Sequence, residues 1–146
     1  WSKKKDFKPL INARLETIDE KISFKKLIKL HRCVAVADGF YEWKRAEKNK
    51  IPHYFLREDK KNMYMAGIYE NDEFCLITEN ASENVNIIHH RQPVILNESD
   101  VNRYLNLELS GSNFLNECKK TKLSFYEVSK EVNKPTNNSI SLIQKI

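Results

Sequence analysis

The stretch RCVAVADGFYEWK, Arg32 to Lys44, constrains the fold of this chain more than any other. Arg32 to Ala37 is a β-branched apolar run, the mark of a buried strand, and Asp38-Gly39 is a turn signal that breaks it. Phe40 to Lys44 then resumes extended structure, so alternation puts Tyr41 and Trp43 on one face and Phe40 and Glu42 on the other. Glu42 is flanked in sequence by two aromatic rings. Partial desolvation there disfavours the carboxylate, raises its pKa and suits it to proton transfer near neutral pH.

Two further stretches carry polar residues in patterns that chemistry can use. LINARLET, Leu10 to Thr17, presents Asn12, Arg14 and Glu16 at every second position, so an extended backbone would turn all three to one side. IIHHRQPVIL adds His89 or His90, and Arg91. Singly, each has a structural explanation. An Asn in a strand ordinarily bonds backbone, a Glu beside Trp faces solvent, and a His before Arg-x-Pro fixes a loop. Their weight comes from occurring together.

In chain order, Trp1 to Lys8 reads as an irregular basic lead-in and Leu10 to Leu15 as extended. Thr17 with Glu20 forms a capping-box pattern, Ser23 is the alternative N-cap, and helix is predicted over at least Phe24 to Leu30. After the two strands at Arg32–Ala37 and Phe40–Lys44 comes a polar hairpin loop, Lys44 to Lys50. An antiparallel meander follows at His53 to Arg57, Met63 to Tyr69 and Phe74 to Thr78. A short helix over Ala81 to Ile87 leads into His89, Pro93 to Leu96 is extended, and Asn97 caps a helix through Leu105. A short helix around Phe114 to Cys118 and a strand at Leu123 to Val128 precede a polar loop and an apolar tail.

Length predicts one domain over residues 1–146. Twenty-five Lys and Arg against twenty Asp and Glu give a formal net charge of +5, which favours polyanionic partners. The basic residues cluster at Lys3 to Lys8, Lys25 to Arg32 and Lys44 to Lys50. Three scattered cysteines, Cys33, Cys75 and Cys118, offer no metal-ligand spacing, so no metal or other cofactor is expected and a reducing, intracellular setting fits. No apolar run approaches the ~18 residues of a membrane span.

LINARLET, RCVAVADGFYEWK, LITENAS, IHHRQPVIL and the closing EVSKEVNK, in this order, together resemble the SOS response-associated peptidase (SRAP) family of abasic-site processing proteins. The resemblance runs from Trp1 to about Ile143. It implies an α+β fold with antiparallel sheets curled into a barrel-like core and helices outside. It also implies a cytoplasmic, monomeric protein, associated with the nucleoid during repair, that senses abasic sites in single-stranded DNA and traps them covalently. In that family an N-terminal cysteine, exposed by autoproteolysis, forms a Schiff base through its amine and closes a thiazolidine through its thiol. The chain opens at Trp1 and so reads as the C-terminal two thirds to three quarters of the family domain, with the segment that bears this cysteine absent.

Carried over by position, the resemblance makes Glu42 the acid/base, His89 the residue that assists sugar opening and Schiff-base chemistry, and Asn12 the hydrogen-bond partner of the cross-linked sugar. Arg14 would hold a phosphate, Thr78 would line the pocket, Trp1 would stack on a base, and Arg91 would contact DNA. His90 receives no role. Gln92 stands where the family has Met or Arg, a change expected to affect packing and not chemistry. The alternative is a catalytically inactive single-stranded DNA-binding module of the same fold.

Overall fold

A computed structural model describes residues 10–46, 49–109 and 111–146. Trp1 and the basic lead-in lie outside the described residues. The chain groups into two compact units that interleave along the sequence. One takes in the described residues up to Val36, then Met63–Glu79 and Pro93–Thr121. The other takes in Ala37–Asn62, Asn80–Gln92 and Lys122–Ile146.

The first unit is a sheet with helices. Its strands are β1 (Asn12–Arg14), β2 (Arg32–Ala37), β5 (Met63–Glu70), β6 (Glu73–Asn80) and β8 (Ile95–Leu96), ordered β1-β6-β5-β2 with β8 added on β5. Helices α1 (Leu27–Leu30), α3 (Glu98–Leu105) and α4 (Gly111–Glu117) belong to the same unit. Ile18, Phe24, Ile28, Ile68, Ile77 and Phe114 are among its core side chains, and the buried Tyr104 donates its hydroxyl to Gly67 O at 2.9 Å. Burial of such side chains supplies about 1.5–3 kcal/mol apiece.

Arg32, the first residue of β2, is the polar centre of that unit. Its guanidinium donates to the carbonyls of Ile28 at 2.7 Å, Tyr104 at 3.2 Å and Leu109 at 2.5 Å, and lies over the Tyr104 ring. The first two carbonyls lie in α1 and the last turn of α3, where helix ends leave acceptors unsatisfied. Asp19 accepts from the main-chain N–H and the hydroxyl of Ser112 at the start of α4. A side chain at Gly111, whose φ is +48°, would run into that carboxylate.

The second unit is built on β3 (Phe40–Ala46), β4 (Asn49–Arg57) and β9 (Leu123–Glu127), an antiparallel sheet in the order β3-β4-β9. Helix α2 (Glu83–Asn86) and most of β7 (Arg91–Pro93) also fall here. In register, Phe40 faces Phe55, which faces Phe125; one step along, Tyr41, Tyr54 and Tyr126 do the same. Alternation therefore gives one face stacked with phenylalanine, at 5.0 Å between successive ring centroids, and one lined with tyrosine and Trp43. Gly39 is where the chain enters this sheet. A Cβ there would sit 2.3 Å from Phe55 O and 2.5 Å from the Tyr54 ring, so no other residue fits.

The fold is mixed α+β, with two corrections to expectation. The first sheet is not wholly antiparallel, because β1 pairs with β6 in parallel, Asn12 opposite Leu76 and Arg14 opposite Thr78. Neither Thr17 nor Ser23 caps a helix. Thr17 closes a 3-10 turn, Leu15–Thr17, and α1 starts at Leu27 after turns that already carry helical bonds such as Lys25 N to Lys21 O at 2.9 Å. Among the described residues no helix is long and apolar enough to cross a membrane.

Candidate functional site

In the second unit, Glu42 sits in the middle of β3, directly across from His53 of β4. Strand alternation turns it away from Tyr41 and Trp43, so the two rings that flank it in sequence are not the groups that cover its carboxyl. Burial nevertheless pushes its pKa up, opposed by the nearby His89 and by the Trp43 backbone N–H. The expected direction of the shift holds, and its source is the sheet face and not the sequence neighbours.

His89 Nδ1 lies 3.7 Å from Glu42 Oε1, with both side chains roughly a quarter to a third exposed. Helix α2 delivers the histidine: Val85, fully buried, accepts from the backbone N–H groups of Ile88 at 2.9 Å and His89 at 3.0 Å. The main chain of Arg91 then meets the ring from two sides. Its carbonyl oxygen is 3.1 Å from Nδ1 and its N–H 3.3 Å from the same atom. A protonated Nδ1 can donate to the carbonyl, and an unprotonated one can accept from the N–H. The ring thus keeps an anchor in either state, which is what a group that gains and loses a proton requires. His90 stacks obliquely on His89, centroids 4.6 Å apart.

Contacts that sequence reasoning passed over hold this loop. Arg91 Nη1 donates to Asn80 Oδ1 at 2.8 Å, and Ala81 N–H to His90 O at 3.0 Å. Gln92 is buried, and its Oε1 accepts from the Ser82 N–H at 3.0 Å and the Ser82 hydroxyl at 3.1 Å. Asn84 accepts from the same hydroxyl at 2.7 Å and donates to Leu123 O of β9 at 2.6 Å. Gln92 is therefore a polar clamp and not only a packing substitution. The usable signal was its chemistry: a buried amide has to be bonded.

In the first unit, β1 places Asn12 and Arg14 on its exposed side and the fully buried Ala13 on the other. Thr78 of β6 is in register with Arg14, so the parallel pairing brings these two together. Glu16 does not join them. The chain leaves the strand after Arg14, and the alternation that would have aligned Glu16 stops. Trp1 lies outside the described residues.

The cysteines are shielded. Burial raises the Cys33 thiol, pushes Cys75 up to about 11 and does the same to Cys118, up to about 11. Among the described residues no group of three or more His, Cys, Asp and Glu side chains could hold a metal ion.

Comparison with known proteins agrees with the motifs. The family model for SOS response associated peptidase (SRAP) matches residues 1–135. The chain is 36% identical over 149 aligned positions to the abasic site processing protein YoqW of Bacillus subtilis, covering 92% of this chain and 66% of that one. To the abasic site processing protein YedK of Escherichia coli it is 30% identical, covering 97% and 69%. A crystal structure of a Bacteroides thetaiotaomicron protein superposes with a TM-score of 0.81 at 30% identity, over 92% of this chain and 65% of its own. The chain thus spans just under two thirds of the length of the first of these relatives.

Proposed function

The chain belongs to the SOS response-associated peptidase family, and from that we propose that it forms the proton-transfer and DNA-holding part of a protein that processes abasic sites in single-stranded DNA. The observation that carries this reading is the Glu42–His89 pair: a carboxyl with a raised pKa beside an imidazole anchored for either protonation state.

An abasic sugar reacts through its ring-opened aldehyde. His89 assists opening by moving a proton at the ring oxygen. An amine then adds to the aldehyde carbon, and the carbinolamine must lose water to become a Schiff base. That step requires an acid to protonate the departing hydroxyl, and a carboxyl with a raised pKa holds a proton where an ordinary carboxylate has lost it. Glu42 takes this role, and as the conjugate base it accepts the proton released when a thiol closes the thiazolidine. Asn12 hydrogen-bonds the sugar, Arg14 and Arg91 take phosphates, Thr78 lines the sugar's pocket, and Trp1 stacks on a neighbouring base.

The nucleophile in this reading is an N-terminal cysteine outside these residues, exposed by autoproteolysis. Cys33, Cys75 and Cys118 cannot replace it. Each has an acylated nitrogen, so none can join amine and thiol to one carbon, and each thiol is held in its neutral form. The protein would act as a monomer in the compartment where DNA is repaired.

The test is incubation of the cysteine-led protein with a single-stranded oligonucleotide carrying one abasic site, followed by a denaturing gel. A stable adduct is expected, absent when the site is an intact nucleotide. Tight binding with no adduct would instead favour the non-catalytic module.

A further inference from the structure

The stretch from Lys21 to Ala37 contains no Asp or Glu, yet four lysines. Where these lysines point is fixed by local structure. Backbone bonds from Lys25 N to Lys21 O, Ile28 N to Phe24 O and Leu30 N to Lys26 O, each 2.9 to 3.2 Å, wind residues 21–30 into successive helical turns. On one side of those turns Phe24, Leu27 and Ile28 are buried in the core of the first unit. Lys21, Lys25, Lys26 and Lys29 are all exposed, the first, second and fourth at four-residue spacing along the flank of the buried face.

Among the described residues none of the four forms an ion pair. Three carboxylates lie between Arg14 and Lys21, one fewer than the four lysines. Asp19 is engaged by Ser112, Glu16 has its own partner, and Glu20 is a single charge. Arg14 itself is exposed on β1, seven residues before Lys21 in the same unit. A cationic surface therefore follows directly on the strand that carries a residue proposed to hold phosphate.

We propose that Lys21, Lys25, Lys26 and Lys29 form a second DNA contact, a stripe that holds backbone phosphates of the strand continuing past the lesion. The inference rests on the abasic-site reading above and adds to it a place where undamaged DNA is held. A membrane surface is the competing anionic partner. Helices that lie on membranes insert a free apolar face, whereas here that face is packed into the core and only Ile22 and Leu30 stand exposed among the lysines. What faces outward is four lysines with two isolated apolar side chains and no continuous apolar face, which suits phosphates spaced along a strand.

The experiment measures binding against salt for two single-stranded oligonucleotides with a stable abasic analogue, one only a few nucleotides long and one several times longer. Replacing all four lysines by Gln should lower the salt slope for the long strand by about 2–3, at ~0.7 per phosphate contact, and leave the short strand's affinity unchanged. A control with Lys60, Lys61, Lys119 and Lys145, all exposed, changed to Gln removes the same charge and should keep the wild-type slope. Equal losses in the two variants, or none in the stripe variant, would overturn the stripe while leaving the abasic-site reading intact. Wild-type protein that prefers neither abasic strand over intact DNA would overturn both. Loss of binding to phosphatidylserine vesicles without loss of long-strand affinity would reassign the stripe to a membrane.

Discussion

His89 Nδ1 and Glu42 Oε1 are 3.7 Å apart, and the histidine is held there by the main chain of Arg91 and not by the glutamate. The distance is longer than a hydrogen bond, so each group can turn to a substrate atom beside the pair. Neither group is locked into a permanent ion pair.

Replacing Glu42 with Gln keeps the shape and removes the acid. The rate of adduct formation at saturating DNA should fall by about 10²–10⁴, the range typical of a general acid/base, while non-covalent affinity for the abasic strand changes little. Single-turnover gels beside equilibrium binding would separate the two.

The raised Glu42 pKa also fixes a stability signature. In the folded state the group keeps its proton to higher pH than in the unfolded chain. Below the ordinary Glu value both states are protonated and the group contributes nothing. As pH rises from there through the folded value, the unfolded state ionises first and the native state loses stability. Glu42→Gln should therefore match wild type in acid and be the more stable protein at neutral pH, as urea melts at the two pH values would read.

Removing His89 should move the same signature further. The imidazole's influence on Glu42 is to lower its pKa. His89→Ala should push the Glu42 titration upward, which carboxyl-region NMR of the folded protein would follow. A downward displacement would mean that burial is lost with the ring.

Arg32 is the residue whose loss should cost most in the first unit. Truncation to Ala removes the guanidinium donor from the carbonyls of Ile28, Tyr104 and Leu109, of which Tyr104 keeps the Leu107 N–H, and opens a cavity against the Tyr104 ring. A loss on the order of 3–5 kcal/mol is expected, from two unsatisfied acceptors at about 1–3 kcal/mol each. Gln92→Met is the milder counterpart: the Ser82 N–H loses its acceptor while the hydroxyl keeps Asn84 Oδ1, at about 1–3 kcal/mol by denaturant melt.

The three thiols should resist alkylation near neutral pH and react together only on unfolding. Cys75 is 1% exposed, and both it and Cys118 are raised to about 11. Mass spectrometry after a brief iodoacetamide pulse, with and without denaturant, checks it. A thiol that reacts fast in the folded protein would reopen the question of which sulfur this chain uses.

What the sequence disclosed follows local signals. β2 falls at Arg32–Ala37, as the β-branched run before Asp38-Gly39 indicated, because both its propensity and its stop are local. The strand over His53 to Arg57 begins earlier, at Asn49, because the polar residues of the hairpin pair with Arg45 and Ala46, a cross-strand fact that no single strand reveals. Asn97 does take the N-cap position of α3, but its amide donates to Lys119 O and makes no side-chain capping bond. The Glu42 shift was legible in direction and not in cause, since alternation sends Tyr41 and Trp43 to the other face. The Asn80, Ser82 and Gln92 contacts around His89 were not legible, because each depends on how residues 80–92 close on themselves.

The most direct test of the account is the rate of denaturant-stable adduct formation between the cysteine-led protein and a single abasic site in single-stranded DNA, wild type beside Glu42→Gln, from mildly acidic to mildly basic pH. The account predicts that the wild-type rate carries a fall as Glu42 loses its proton, and that the variant is slow and lacks that fall. Equal rates and equal pH dependence in the two proteins would contradict it.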